Sequence, residues 1–203
     1  GTGADIDADI DRKEQLRMRI QRLDENTRQD LLEGLLERSP GRYEEYEKDV
    51  AEILAAVKEK GDEALFSFTK AFDKADIGAS DIKVTEEEIR EAYELVDTKL
   101  LEVIRRALCN IREYHEKQRQ YSWFDSKPDG TILGQKVTAL RRVGVYVPGG
   151  KAAYPSSVLM NILTAKVAGV DEILMVTPPG RDGKIAPTTL VAAKEAGADV
   201  IFK

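Results

Sequence analysis

The residues best suited to chemistry lie in one stretch, YVPGGKAAYPSSVLM, from Tyr146 to Met160. An apolar run, Val143 to Val147, stops at Pro148, two glycines follow, and Ser156 and Ser157 stand where an apolar helix would begin. Adjacent glycines allow positive φ and close approach of a ligand, and a helix N-terminus offers amides to an anion. A P-loop needs lysine directly after its second glycine, followed by Ser or Thr. With Gly144 and Gly149 at the required separation, that place holds Gly150, and Lys151 is followed by Ala152. The dinucleotide fingerprint G-x-G-x-x-G fails as well, because Gly149 and Gly150 are adjacent and no third glycine follows at the needed spacing. Two readings stay open: a ligand loop at the carboxyl edge of a parallel sheet, or a structural turn.

Other reactive side chains are sparse. His115, the only histidine, continues the side of a helix marked by Ile104, Leu108 and Ile111, which makes it a packed or boundary residue with Gln118 in hydrogen-bonding reach. A zinc site needs three or four ligands, and no His, Cys, Asp or Glu constellation with ligand spacing accompanies His115. Cys109 is the only cysteine, which excludes an internal disulfide and a thiolate cluster; it reads as a small buried residue on a helix. Carboxylates such as those of TEEEIRE, from Thr85 to Glu91, read as solvated charges on helix surfaces.

The whole chain has 203 residues, is 42% hydrophobic and carries a net charge of −6 with both signs mixed along its helices. That is enough apolar material for a core, and there is no basic stripe to neutralise a nucleic-acid backbone. No apolar run approaches the roughly 18 residues of a membrane span, and the acidic N-terminus is unlike a secretory signal. A cytoplasmic protein that contacts neither nucleic acid nor membrane is expected.

The elements that must position the glycine loop follow from periodicity. Leu31, Leu32, Leu35 and Leu36 form one helical stripe. Tyr46, Val50, Ile53, Leu54 and Val57 form a second that Gly61 stops, with Asp62 as the cap of a third helix. Ile82 to Val84 is extended, and Thr85 with Glu88 makes a capping box ahead of the next helix. KPDGT, from Lys127 to Thr131, has turn chemistry, and Ile132 to Leu140 reads as the returning arm of a hairpin. Beyond it come strand Val143 to Val147, helix Ser156 to Ala168, strand Glu172 to Val176, helix Pro187 to Ala196 and strand Asp199 to Phe202, with Gly169 and Gly197 as helix stops. This βαβαβ order predicts an α/β protein with parallel strands and right-handed crossovers. The expected organisation is a helical region with a short strand and hairpin over 1–140, then a partial parallel-sheet domain over 141–203. The last strand is expected to leave an exposed sheet edge.

RRVGVYVPGGKAAYPSSVLMNILTAKVAGVDEILMVTPP, from Arg141 to Pro179, closely resembles the core motif of the histidinol dehydrogenase family. The likeness extends through YHEKQ, GQKVT and VAEILAAVKEKGDEALFSFTKAFD, and forward through LVAAKEAGADVIFK, covering most of residues 43–203. The resemblance implies a zinc-dependent, NAD-linked oxidoreductase of histidine biosynthesis that oxidises L-histidinol to L-histidine in two hydride transfers. It further implies a homodimer with incomplete Rossmann-like nucleotide domains of the histidinol dehydrogenase/aldehyde dehydrogenase-like type. It places Tyr146 at the NAD site, with Pro148 and Pro178 as apolar walls. Thr164 departs from the family's usual proline. The family's glutamate–histidine acid/base pair and its zinc ligands have no matching position here. The resemblance therefore assigns this chain no catalytic and no metal residue, and the chain alone is expected to be inactive. Two alternatives are a paralogous NAD-dependent dehydrogenase of another polyol or a sulfonated alcohol, and a noncatalytic binding or assembly module.

Overall fold

The computed structural model describes Asp24, residues 27–29, 44–149 and 153–203. The leucine stripe at Leu31, Leu32, Leu35 and Leu36, and Gly150 and Lys151 of the glycine loop, lie outside the described residues. The chain divides into two compact units, Gly1–Leu54 and Ala55–Lys203. In the first, Asp24 and Thr27 bond reciprocally, each amide donating to the other's side-chain oxygen at 2.9 and 2.8 Å.

Helix α1 is Glu44–Lys60. Its stripe is largely open: Tyr46, Val50 and Leu54 are more than half exposed. Helix α2, Asp62–Phe72, differs from expectation at its start. Asp62 is the first helical residue and Gly61 the cap, at φ 59°, with no side-chain cap bond. The chain turns so sharply after α1 that the cap position itself needs a left-handed residue, which puts aspartate one place later, where its charge still favours the helix dipole. Helix α3, Glu86–Leu95, starts with the expected capping box between Thr85 and Glu88. In α4, Thr98–Glu116, Asp97 caps the amides of Lys99 and Leu100. Cys109 lies on the exposed side of α4, correcting its reading as a buried residue: Ile104 is buried on the opposite, packed side.

Strands β1 (Trp123–Ser126) and β2 (Ile132–Gln135) form an antiparallel hairpin in register Trp123↔Gln135 to Ser126↔Ile132. The second arm is shorter than the predicted Ile132 to Leu140. Four residues of β1 leave nothing to pair beyond Gln135, and Ser122 Oγ takes over, accepting from the Val137 amide at 2.9 Å.

Strand β3 is Arg142–Tyr146, helix α5 Pro155–Ala168, β4 Glu172–Val176, helix α6 Pro187–Ala196 and β5 Val200–Phe202. The strands are parallel in the order β3-β4-β5, with Tyr146 beside Val176 and Val176 beside Phe202. Gly169 and Gly197 stop α5 and α6 in the left-handed conformation, at φ 87° and 91°. Thr164, in mid-helix, returns its hydroxyl to the Met160 carbonyl at 2.6 Å, a bond a helix interior tolerates. Helices α5 and α6 lie side by side; α4 packs on α5 and α3 on α6. Leu159, Ile162, Leu163, Ile173, Met175 and Val191 are fully enclosed within this core. Among the helices, Glu195 of α6 accepts from Tyr93 Oη of α3 (2.8 Å) and from Arg105 Nε and Nη2 of α4 (2.9 and 2.8 Å). Arg105 holds the Glu195 carboxyl below its usual range despite the opposing effect of burial. Burial, then the neighbouring carboxylate, pushes the Tyr93 phenol up to about 12.

The outer edge of β5 is not exposed as expected. Residues 82–84 lie antiparallel along it: Val84 N donates to Ile201 O at 3.0 Å, Lys203 N donates to Ile82 O at 2.8 Å, and Lys83 bridges Phe202. Lys203 and Glu88 reinforce the contact with a 2.6 Å ion pair that is largely shielded from solvent. The extended piece between Asp81 and the α3 cap has the length and conformation to pair, and an unpaired strand edge is the available template.

Candidate functional site

Two strand ends and one helix start converge at the carboxyl edge of the sheet. After β3, Val147 N donates to Val176 O at 2.9 Å, and Val147 is fully buried. Pro148 ends the ladder by withholding an amide. Gly149 then presses against the β4 exit: a Cβ built there would stand 2.7 Å from Pro178 O and 3.1 Å from Thr177 Oγ1. A side chain at 149 would force these two loops apart, so the glycine is required by close approach.

After β4, Thr177 N donates to Phe202 O at 3.2 Å, carrying the strand one residue further. Pro178 and Pro179 prevent its continuation. Gly180 N to Lys184 O (2.8 Å) closes a short loop, and Asp182 accepts from the Lys184 amide at 3.1 Å. Lys184 Nζ reaches Glu91 of α3 at 3.2 Å, tying that loop to the helical layer. Ala186 caps α6 without a side-chain bond and Pro187 opens it. These segments enclose a cavity of about 360 Å³ lined by Gly149, Thr177, Pro178, Asp182, Lys184 and Thr189, among others.

The three residues assigned to NAD by resemblance do not all meet in this cavity. Pro178 lines it and is half-buried. Tyr146 and Pro148 are exposed and outside it. Val143 and Val145 pack toward the helices, so strand alternation turns Tyr146 to the other face of the sheet. Sequence reasoning missed Thr177 and Thr189, whose side chains are almost wholly buried at the cavity. The threonine of TPP and the ones after Pro187 were visible signals, since a polar residue at a strand exit or a helix start faces the binding edge.

A larger cavity, about 590 Å³, lies at the opposite end of α5, beside Ala139, Gly169 and His115. It sits at the amino edge of the strands, away from the end where open α/β sheets bind ligands. His115 Nδ1 is 2.7 Å from Gln118 Oε1 there, the pairing expected from their spacing. Among the described residues no three His, Cys, Asp or Glu side chains converge as metal ligands, and no described helix is long and apolar enough to cross a membrane. The carboxyl-edge cavity is lined by apolar walls, hydroxyls and one charge of each sign, a set suited to holding a ligand rather than transforming one.

The histidinol dehydrogenase family profile matches residues 36–203. Histidinol dehydrogenase of Bacillus subtilis strain 168 is 57% identical over 160 residues, covering 79% of this chain and 37% of that protein. The corresponding enzyme of Methanocaldococcus jannaschii is 48% identical over 187 residues, covering 92% of this chain and 43% of its own length. The crystal structure of histidinol dehydrogenase from Elizabethkingia anophelis superposes with a TM-score of 0.73 at 28% identity, over 94% of this chain and 39% of that one. The chain thus spans less than half the length of these relatives, on their N-terminal part, and its Rossmann-like α/β architecture is shared with the solved structure. By sequence and fold together, this chain belongs to the histidinol dehydrogenase family.

Proposed function

We propose that this chain supplies the nucleotide side of an enzyme that oxidises L-histidinol to L-histidine in histidine biosynthesis, using NAD in two hydride transfers. Family membership supports the reaction class, and the observation carrying the nucleotide assignment is the contact of Gly149 with Pro178, which joins the β3 and β4 exits into one ligand edge. Bound NAD would supply the hydride acceptor. Pro178 forms a wall of the cavity, and Tyr146, on the other face of the sheet, and Pro148 offer exposed apolar surface at the same carboxyl edge, rigid groups that lose little entropy when a planar ring stacks on them. Within this reading, residues 141–203 form the nucleotide portion and 1–140 the helical region with its hairpin. The whole enzyme is a cytoplasmic homodimer.

Zinc does not fit the described residues. No donor set converges, and His115 is engaged by Gln118, so no zinc chemistry is assigned to any residue of this chain. The 203-residue chain accordingly binds NAD without turning over. Calorimetry should detect NAD binding by the purified chain, and Tyr146→Ala should weaken it about tenfold through lost stacking surface. An unchanged affinity would remove Tyr146 from the site. Histidinol-dependent NADH formation by the same chain would overturn its assignment as a binding portion only.

A further inference from the structure

The α6 end of the carboxyl-edge cavity contains an unusual combination. Thr177 and Thr189 are 1% and 3% exposed, and both line the cavity. Neither hydroxyl has a hydrogen-bond partner among the described residues. They are nonetheless not sealed into packing: no fully inaccessible side-chain polar atom of the described residues is unpartnered, so both hydroxyls reach the cavity space. A buried hydroxyl without a partner costs stability, and a core would ordinarily replace it with valine of the same shape.

The second observation is the start of α6. The helix has ten residues, its cap Ala186 offers no side-chain acceptor, and Pro187 has no amide to satisfy. The Thr189 and Leu190 amides are both taken by Ala186 O, at 2.9 and 3.2 Å. The Thr188 amide has no partner among the described residues, as is usual in a helix's first turn. Two hydroxyls and, at Ala186 and Pro187, the positive end of the helix dipole therefore face a single space, which is chemistry that binds an anionic oxygen cluster. Lys184 adds a cation at the rim, although Glu91 shares it, and Asp182 places a carboxylate nearby. A compact ligand held by direct hydrogen bonds at the helix end is favoured over one held by long-range charge.

We propose that this end of the cavity is a phosphate subsite, in which Thr177 Oγ1 and Thr189 Oγ1 donate to the oxygens of one phosphate group at the start of α6. The proposal rests on the nucleotide reading only for the source of that phosphate, which is either a nucleotide's pyrophosphate or free phosphate.

The test uses the 203-residue chain with three probes in calorimetry: inorganic phosphate, ADP-ribose and adenosine. Thr189→Val and Thr177→Val should each lower affinity for the phosphate-bearing probes about tenfold, the contribution of one hydrogen bond to a charged group. Affinity for adenosine should not change, and Thr189→Ser, which restores the hydroxyl, should recover binding. Each valine variant should also melt at or above the wild-type temperature, because the hydroxyl it removes has no partner without ligand. Two variants are used so that a folding defect in one leaves the other informative. If ADP-ribose binds and neither valine substitution weakens it, the phosphate subsite is wrong and the nucleotide reading stands. If inorganic phosphate binds in a threonine-dependent way while ADP-ribose and adenosine do not bind, the subsite stands and the nucleotide reading fails. Binding of none of the probes overturns both. A valine variant that melts well below wild type with intact phosphate affinity identifies the hydroxyl as structural and also overturns the subsite.

Discussion

The three-stranded sheet and the β1–β2 hairpin are both β-structure, and they are held by opposite means. In the sheet, parallel strands from distant parts of the chain are fixed by the helices packed on them, with Ile173, Met175 and Ile201 enclosed. In the hairpin every strand residue is exposed, including Trp123, Phe124, Ile132 and Leu133. Its geometry comes from the turn: Lys127 N bonds Thr131 O at 2.8 Å, Asp129 accepts from the Thr131 amide at 2.9 Å, and Gly130 sits at φ 85°. The difference teaches that in this chain apolar residues specify structure only where a second layer receives them; elsewhere local turn chemistry carries the fold.

That contrast can be broken most severely in the core. Leu163→Ala, at a fully enclosed position, should cost about 3 kcal/mol in urea-induced unfolding, the usual cost of a large-to-small change with its residual cavity. A loss below about 1 kcal/mol would mean the helices close over the gap and the core is less close-packed than its burial indicates.

A smaller effect is expected where helices meet through polar groups. Tyr93→Phe should cost about 1 kcal/mol, the net value of a hydrogen bond to a charged acceptor that is partly open to solvent. Its pH dependence has a definite sign. The Tyr93 phenol is raised from 10.0 to about 12, so its contribution is complete below pH 10 and is lost as pH rises through the folded value. The Glu195 carboxyl is lowered from 4.5, so its contribution is present above that value and is lost as pH falls through the depressed one. Thermal melts across pH should show the wild-type advantage over Tyr93→Phe flat between these limits and shrinking at the alkaline end. An advantage that grows above pH 10 would contradict the geometry of the Tyr93–Glu195 contact.

The smallest global effect should come from the hairpin. Gly130→Ala places a side chain at positive φ, a strain of about 1 kcal/mol. Amide exchange at Lys127 should quicken several-fold while exchange at Met175 and the urea midpoint stay unchanged. A shift of the global midpoint by the full strain would show that the hairpin unfolds together with the sheet.

The legible parts of the fold were those with strong local signals. Gly169 and Gly197 marked two helix ends, the Thr85–Glu88 box marked a start, and β4 and α6 fall at the boundaries their periodicity gives. Asp62 was misplaced by one residue because capping depends on the backbone angle of Gly61, which composition does not encode. Residue type and the lack of an activating neighbour make Cys109 read as buried, whereas burial depends on which side of α4 faces α5. In the site, the glycine loop was recognisable but its partner was not. That Gly149 abuts Pro178 depends on parallel register between segments tens of residues apart, and that Thr177 and Thr189 share one space depends on how the loop between them folds back to α6.

The antiparallel pairing of residues 82–84 with β5 also gives the sheet a direction. With that side occupied, the edge of the three strands left unpaired among the described residues is the outer side of β3. A short, inconspicuous extended segment before α3 thus decides which side of the sheet stays open, the one that carries the exposed Tyr146.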